Sequence, residues 1–149
     1  MAETIDDWGC CVPGYGGEVQ RDGEVIDIRS SYHPGWCAPG VVVSTVDEVT
    51  SFYDALFSGA MLDKQHLDNM LHLVRVPGSH PPAVTPSYGI GIMADPNGPF
   101  GSSYAHGGSG PGYSLFAEIV PDAPRGRLSV AVLCKTTVVP SAKIFNSCW

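Results

Sequence analysis

The sequence predicts an α+β fold, and three observations carry that prediction. Apolar residues recur at helical spacing between about residues 46 and 74, then at a period of two from Tyr88 onward. The helical and stranded stretches are segregated along the chain rather than alternating, the pattern of α+β rather than α/β proteins. Finally, 18 glycines and 13 prolines in 149 residues point to many turns and few helices.

The length suits one domain, and a chain of this size buries roughly 70% of the surface it exposes when unfolded. Apolar residues make up 44% and charged residues 15%, with a formal net charge of −7. The eight basic residues are scattered singly. No cluster can neutralise a row of phosphates, so nucleic-acid binding is not expected. No basic amphipathic stretch suits an anionic membrane surface, and no apolar run approaches the roughly 20 residues of a membrane span. Residues 1–8 carry three acids and no base, unlike an export signal. If Met1 is the true start, the expected location is the cytoplasm. Cys10, Cys11, Cys37, Cys134 and Cys148 form no CxxC pair and are expected to be reduced and structural. His33, His66, His72, His80 and His106 show no metal-ligand spacing. Neither a metal nor a cofactor is expected.

Taken in order, residues 1–35 read as an irregular, linker-like part. Within it Gly14–Gly17 signals a turn, and Val19–Ile28 a hairpin about Asp22-Gly23. Thr45 with Glu48 forms a capping box, followed by an apolar face of Val49, Phe52, Tyr53 and Leu56 and a terminating Gly59. A second helix is expected over Lys64–Leu73, capped by Asp63, with Leu67, Met70, Leu71 and Val74 inward. A loop with four prolines spans 77–86. Tyr88–Met93 reads as one strand, and 95–99 as a turn in which Asp95 and Asn97 serve turn chemistry rather than calcium. A short strand over 104–106 enters the glycine stretch. Tyr113–Val120 and Leu128–Cys134 form the clearest hairpin. A short helix start is expected in Pro140–Trp149.

Residues 104–116 hold glycines at 107, 108, 110 and 112 behind the single His106. Two readings stand: a flexible turn between strands, or a surface where backbone N–H groups meet a ligand. A phosphate loop is not one of them, since no Gly-Lys-Ser/Thr ending follows and Pro111 lacks an N–H. Tyr88, Tyr104 and Tyr113 read first as strand packing, with cleft lining open for Tyr104 and Tyr113.

Three segments in register resemble the C-terminal part of the penicillin-recognising serine hydrolases, which include class C β-lactamases, DD-peptidases and related esterases and aminopeptidases. They are Gly40–Leu56; Gly59–Met70 with Tyr88-Gly-Ile-Gly91; and His106-Gly107-Gly108 followed by Gly110-Pro111-Gly112-Tyr113-Ser114. The third is similar to that family's Lys/His-x-Gly motif. The resemblance implies that 1–149 is a single partial domain of a β-lactamase/DD-peptidase-like fold. It also implies that His106 assists proton transfer or substrate orientation, that Gly108 admits the substrate backbone, and that the Ser109 N–H is one oxyanion donor. Gly107, Tyr104 and Tyr113 would line the substrate, a small ester, amide or lactam.

The family's nucleophile lies in Ser-x-x-Lys, where lysine assists serine deprotonation. No serine here has lysine three residues on, and no Tyr-x-Asn or Ser-x-Asn occurs. The chain alone is therefore expected to be inactive. Three accounts remain: a truncated or split product functional only with an N-terminal partner that supplies both motifs, an unselected gene fragment, or a non-catalytic binding or regulatory module; a homo-oligomer is the other partner expected.

Overall fold

The computed structural model describes residues 5–37, 41–78 and 82–137. Gly40, His80, Cys148 and the expected helix start at 140–149 lie outside them. Two α-helices and eight strands form the described chain: β1 Tyr15–Arg21, β2 Glu24–Asp27, α1 Val46–Phe57, α2 Lys64–Met70, β3 Val74–Arg75, β4 Ser87–Tyr88, β5 Met93–Asp95, β6 Ser103–Gly110, β7 Tyr113–Val120 and β8 Leu128–Cys134. Strands β1 and β2 pair alone, and β3 to β8 make a six-stranded sheet in chain order. The α+β class holds. Contacts gather the chain into two compact units, one of residues 46–106 and 116–131 and the other of the remainder.

In the first unit, α1 turns Tyr53 and Leu56 inward, two of the four positions its spacing marked. Phe52, a third, stays half exposed. The helix ends at Gly59, where the Ala60 N–H returns to the Ala55 carbonyl, closing carbonyls that the helix itself leaves open. The Arg127 guanidinium donates to the Asp54 and Phe57 carbonyls, and Ser129 Oγ donates to the Asp54 carboxylate at 2.6 Å. Phe57 packs on Tyr104 with ring centroids 5.0 Å apart. These contacts hold α1 against the sheet.

Helix α2 is shorter than its apolar spacing suggested. Asp63 caps it as expected, accepting from the His66 N–H, but Leu71 closes it and Val74 begins β3. The single strand expected over 88–93 is instead a hairpin. β4 pairs with β5 through Ser87↔Ala94 and Tyr88↔Met93, and the intervening turn is closed by the Gly89 N–H on the Ile92 carbonyl. The alternation of large and small residues concealed a turn in which Gly91 takes φ 70°. With β3, this brings the sheet to six strands. Asp95, 7% exposed, accepts from the Val84, Thr85 and Asn97 N–H groups at 2.6, 3.0 and 3.1 Å. Its carboxylate thus fastens the proline loop, while its bond to Asn97 is the expected turn chemistry.

In the second unit the β1–β2 hairpin turns on Asp22 and Gly23, φ 53° and 82°. Positive φ at both central residues is the two-residue turn that Asp-Gly favours. β1 begins already at Tyr15, within the stretch expected to be a turn. Trp8 stacks on Tyr113 at 5.6 Å and 11°, and the Tyr113 hydroxyl donates to the Val12 carbonyl at 2.6 Å. Cys10, Cys11 and Cys134 are free thiols.

Candidate active site

His106 lies on β6, at the edge of a cavity of about 390 Å³. The walls are apolar: Phe52, Tyr53 and Leu56 from α1, Met61 and Leu62 after it, Met70 from α2, and Ile92 from the β4–β5 turn. They converge because α1 is held on the sheet, and because the turn is drawn to α2 by the Ile90 N–H on the Met70 carbonyl at 2.9 Å. His106 is the one imidazole in this apolar wall. A few polar groups set in an apolar concavity are the usual make-up of a ligand site.

The imidazole is not isolated. Tyr88 Oη lies 2.9 Å from His106 Nε2, with the rings edge-on at 6.2 Å and 71°. Tyr53 lines the same cavity and is 8% exposed. Burial, first, and the Glu118 charge push its hydroxyl up to about 12, while a hydrogen bond from the His106 backbone opposes them. Tyr53 is therefore a neutral wall group at ordinary pH.

The sequence singled out His106 but treated Tyr88 as packing. What brings them together is β5: β4, β5 and β6 are neighbours, so the two residues are two strands apart. At about 4.8 Å per strand, a tyrosine and a histidine side chain span that gap.

Of the other expected site residues, Tyr104 lies two before His106 and packs on Phe57; burial, then the Asp122 charge, raise its hydroxyl. Gly107, Gly108 and Ser109 follow His106 on β6, not on a loop, because the strand continues to Gly110. A Cβ on Gly108 would meet nothing within 4 Å, so no packing demand accounts for glycine there. Tyr113 carries its ring on Trp8 and its hydroxyl on Val12. A wider recess of about 670 Å³ lies beside Asp54, Arg127 and Ser129, but those polar groups already bond one another or the end of α1. Among the described residues no three His, Cys, Asp or Glu side chains gather to hold a metal, and no helix is long and apolar enough to cross a membrane.

Compared with solved structures, this chain has part of the fold found in penicillin-binding-protein-like hydrolases. It is similar to a D-stereospecific amidohydrolase from Streptomyces sp., at 27% identity and TM-score 0.69 over 89% of this chain and 37% of that one. An octameric penicillin-binding protein homologue from Pyrococcus abyssi matches at 21% and 0.67, over 89% and 28%. D-amino acid amidase from Ochrobactrum anthropi SV3, complexed with D-phenylalanine, matches at 23% and 0.57, over 84% and 37%. The chain thus spans 28–37% of the length of these three relatives. No protein-family model matches it, and no curated protein does.

Proposed function

We propose that the chain is the C-terminal part of a serine hydrolase and forms one wall of its acyl-transfer site. The observation that carries this is His106 at the mouth of an apolar cavity, in a chain whose fold is that of this family. In this reading His106 orients the substrate or moves its proton. Gly108 leaves space for the substrate backbone, and the Ser109 N–H is one donor to the developing oxyanion. Gly107 and Tyr104 shape the rim, and Tyr113 anchors the strand that follows. The substrate is a small amide, ester or lactam. The amidohydrolase and amidase among the relatives favour an amide.

The activated serine comes from a segment bearing Ser-x-x-Lys and Tyr-x-Asn, neither of which these 149 residues contain. Supplied from a different chain, it makes the active species a hetero-complex; copies of this chain can also associate, in keeping with the octamer of the Pyrococcus relative, but they cannot supply the missing motifs to one another.

The test is co-expression of this chain with the N-terminal two-thirds of the Streptomyces amidohydrolase, scored by ammonia release from D-phenylalanine amide. Turnover is expected only with both parts present, falling by about 10²–10⁴-fold on His106→Ala. No association and no turnover would count against the reading. So would labelling of the isolated chain by a fluorophosphonate.

A further inference from the structure

We propose that Tyr88 is a positioning residue for His106: its hydroxyl donates to Nε2 and holds the neutral imidazole with its proton on Nδ1. The inference rests on His106 being the site's imidazole, but not on hydrolysis itself.

Oη stands 2.9 Å from Nε2, an ordinary hydrogen-bond length, with the tyrosine ring edge-on to the imidazole. A neutral imidazole has one donor nitrogen and one acceptor nitrogen, and the partner of one decides the other. A phenol is a good donor, and an imidazole lone pair is a better acceptor than a phenolic oxygen. The Oη–H···Nε2 arrangement is therefore the favoured one, and it leaves the proton at Nδ1. Imidazoles in water prefer the opposite tautomer, with the proton on Nε2, so Tyr88 changes the outcome rather than confirming it.

The backbone fixes Tyr88 on both sides of the residue. Tyr88 is registered on Met93; Met93 in turn faces Ala105 and not His106, so the pair is a contact made at the end of β4 rather than a register pair. Immediately after Tyr88, the Gly89 N–H is held by the Ile92 carbonyl and the Ile90 N–H by the Met70 carbonyl. A side chain at Gly89 would collide with that Met70 carbonyl, so the strand end comes close to α2. Tyr88 is thus set by sheet register and a closed turn, which is what a group that fixes another's orientation requires. The functional consequence is that Nε2 is engaged before any ligand arrives, and the ring is not free to rotate by half a turn.

Long-range ¹H–¹⁵N correlation of the His106 imidazole in the full chain, at a pH where the ring is neutral, reads the tautomer directly. The wild type is expected to carry the proton on Nδ1. In Tyr88→Phe, which keeps the ring and removes only the hydroxyl, the proton is expected to move to Nε2. An Nε2–H ring in the wild type overturns the proposal, as does an Nδ1–H ring that survives Tyr88→Phe. Should that variant not fold, the wild-type tautomer alone decides. Because the readout needs no turnover, a failed complementation with a retained Nδ1–H tautomer separates this inference from the hydrolase reading.

Discussion

At Gly14 one absent methyl group decides whether the N-terminal segment can close. Gly14 is buried, and a Cβ there would fall inside the ring of Tyr113, which Trp8 covers. Gly112, φ 75°, lies against it, and its own Cβ would stand 2.8 Å from Gly14 and 2.9 Å from Ile28. Overpacking of this kind costs about 1–3 kcal/mol. Gly14→Ala is expected to lose that much in urea unfolding, while Gly108→Ala, which points into open space, changes stability by less than about 0.5 kcal/mol. The sequence marks all these positions alike as glycine-rich. It cannot separate them, because Gly14 owes its identity to a ring about a hundred residues away. His106 was legible for the opposite reason: its signal, a histidine followed by glycines, is local.

Among the elements, α1 was the most legible and its anchoring the least. Its 3.6-residue spacing and terminal Gly59 are contained within the helix and its flanks. The Arg127 guanidinium that closes the Asp54 and Phe57 carbonyls arrives from 70 or more residues away. A cation at a helix C-terminus contributes about 0.3–1 kcal/mol. Arg127→Ala is expected to lower stability by about that amount, with Arg127→Lys recovering part of it, as chemical denaturation would show. Helix α2 and the β4–β5 hairpin were misjudged because tertiary contacts set their ends. Leu71 stops the helix while apolar spacing runs on, and the turn at 89–92 is held by α2 as well as by its own residues.

For the molecule as a whole, pH dependence reports on charge placed within the sheet. Burial, chiefly, and the Asp95 charge raise Glu118 above its ordinary value of 4.5, although the Ser103 hydroxyl donates to it and opposes them. A raised carboxyl binds more protons folded than unfolded, so its contribution makes stability fall as pH rises from about 4.5 through the folded value. Glu118→Gln removes that contribution. Relative to wild type, the variant is expected to gain stability toward pH 7 and to show a flatter profile above the ordinary carboxylate range. Urea midpoints at a series of pH values check this. An unchanged profile would mean that Glu118 titrates as an exposed carboxylate.

The sequence by itself determined α1, the β1–β2 and β7–β8 hairpins, the His-x-Gly motif with its resemblance, and the lack of Ser-x-x-Lys within these residues. Each depends on spacing, capping or turn chemistry acting over a few neighbouring residues. Only the tertiary structure decided the six-strand order, the cavity behind His106, the Tyr88–His106 bond and the Tyr113–Val12 bond. The last two join residues 18 and 101 positions apart. Period and propensity carry no information over such separations, because which strand lies beside which is settled by the burial and hydrogen bonding of the assembled sheet.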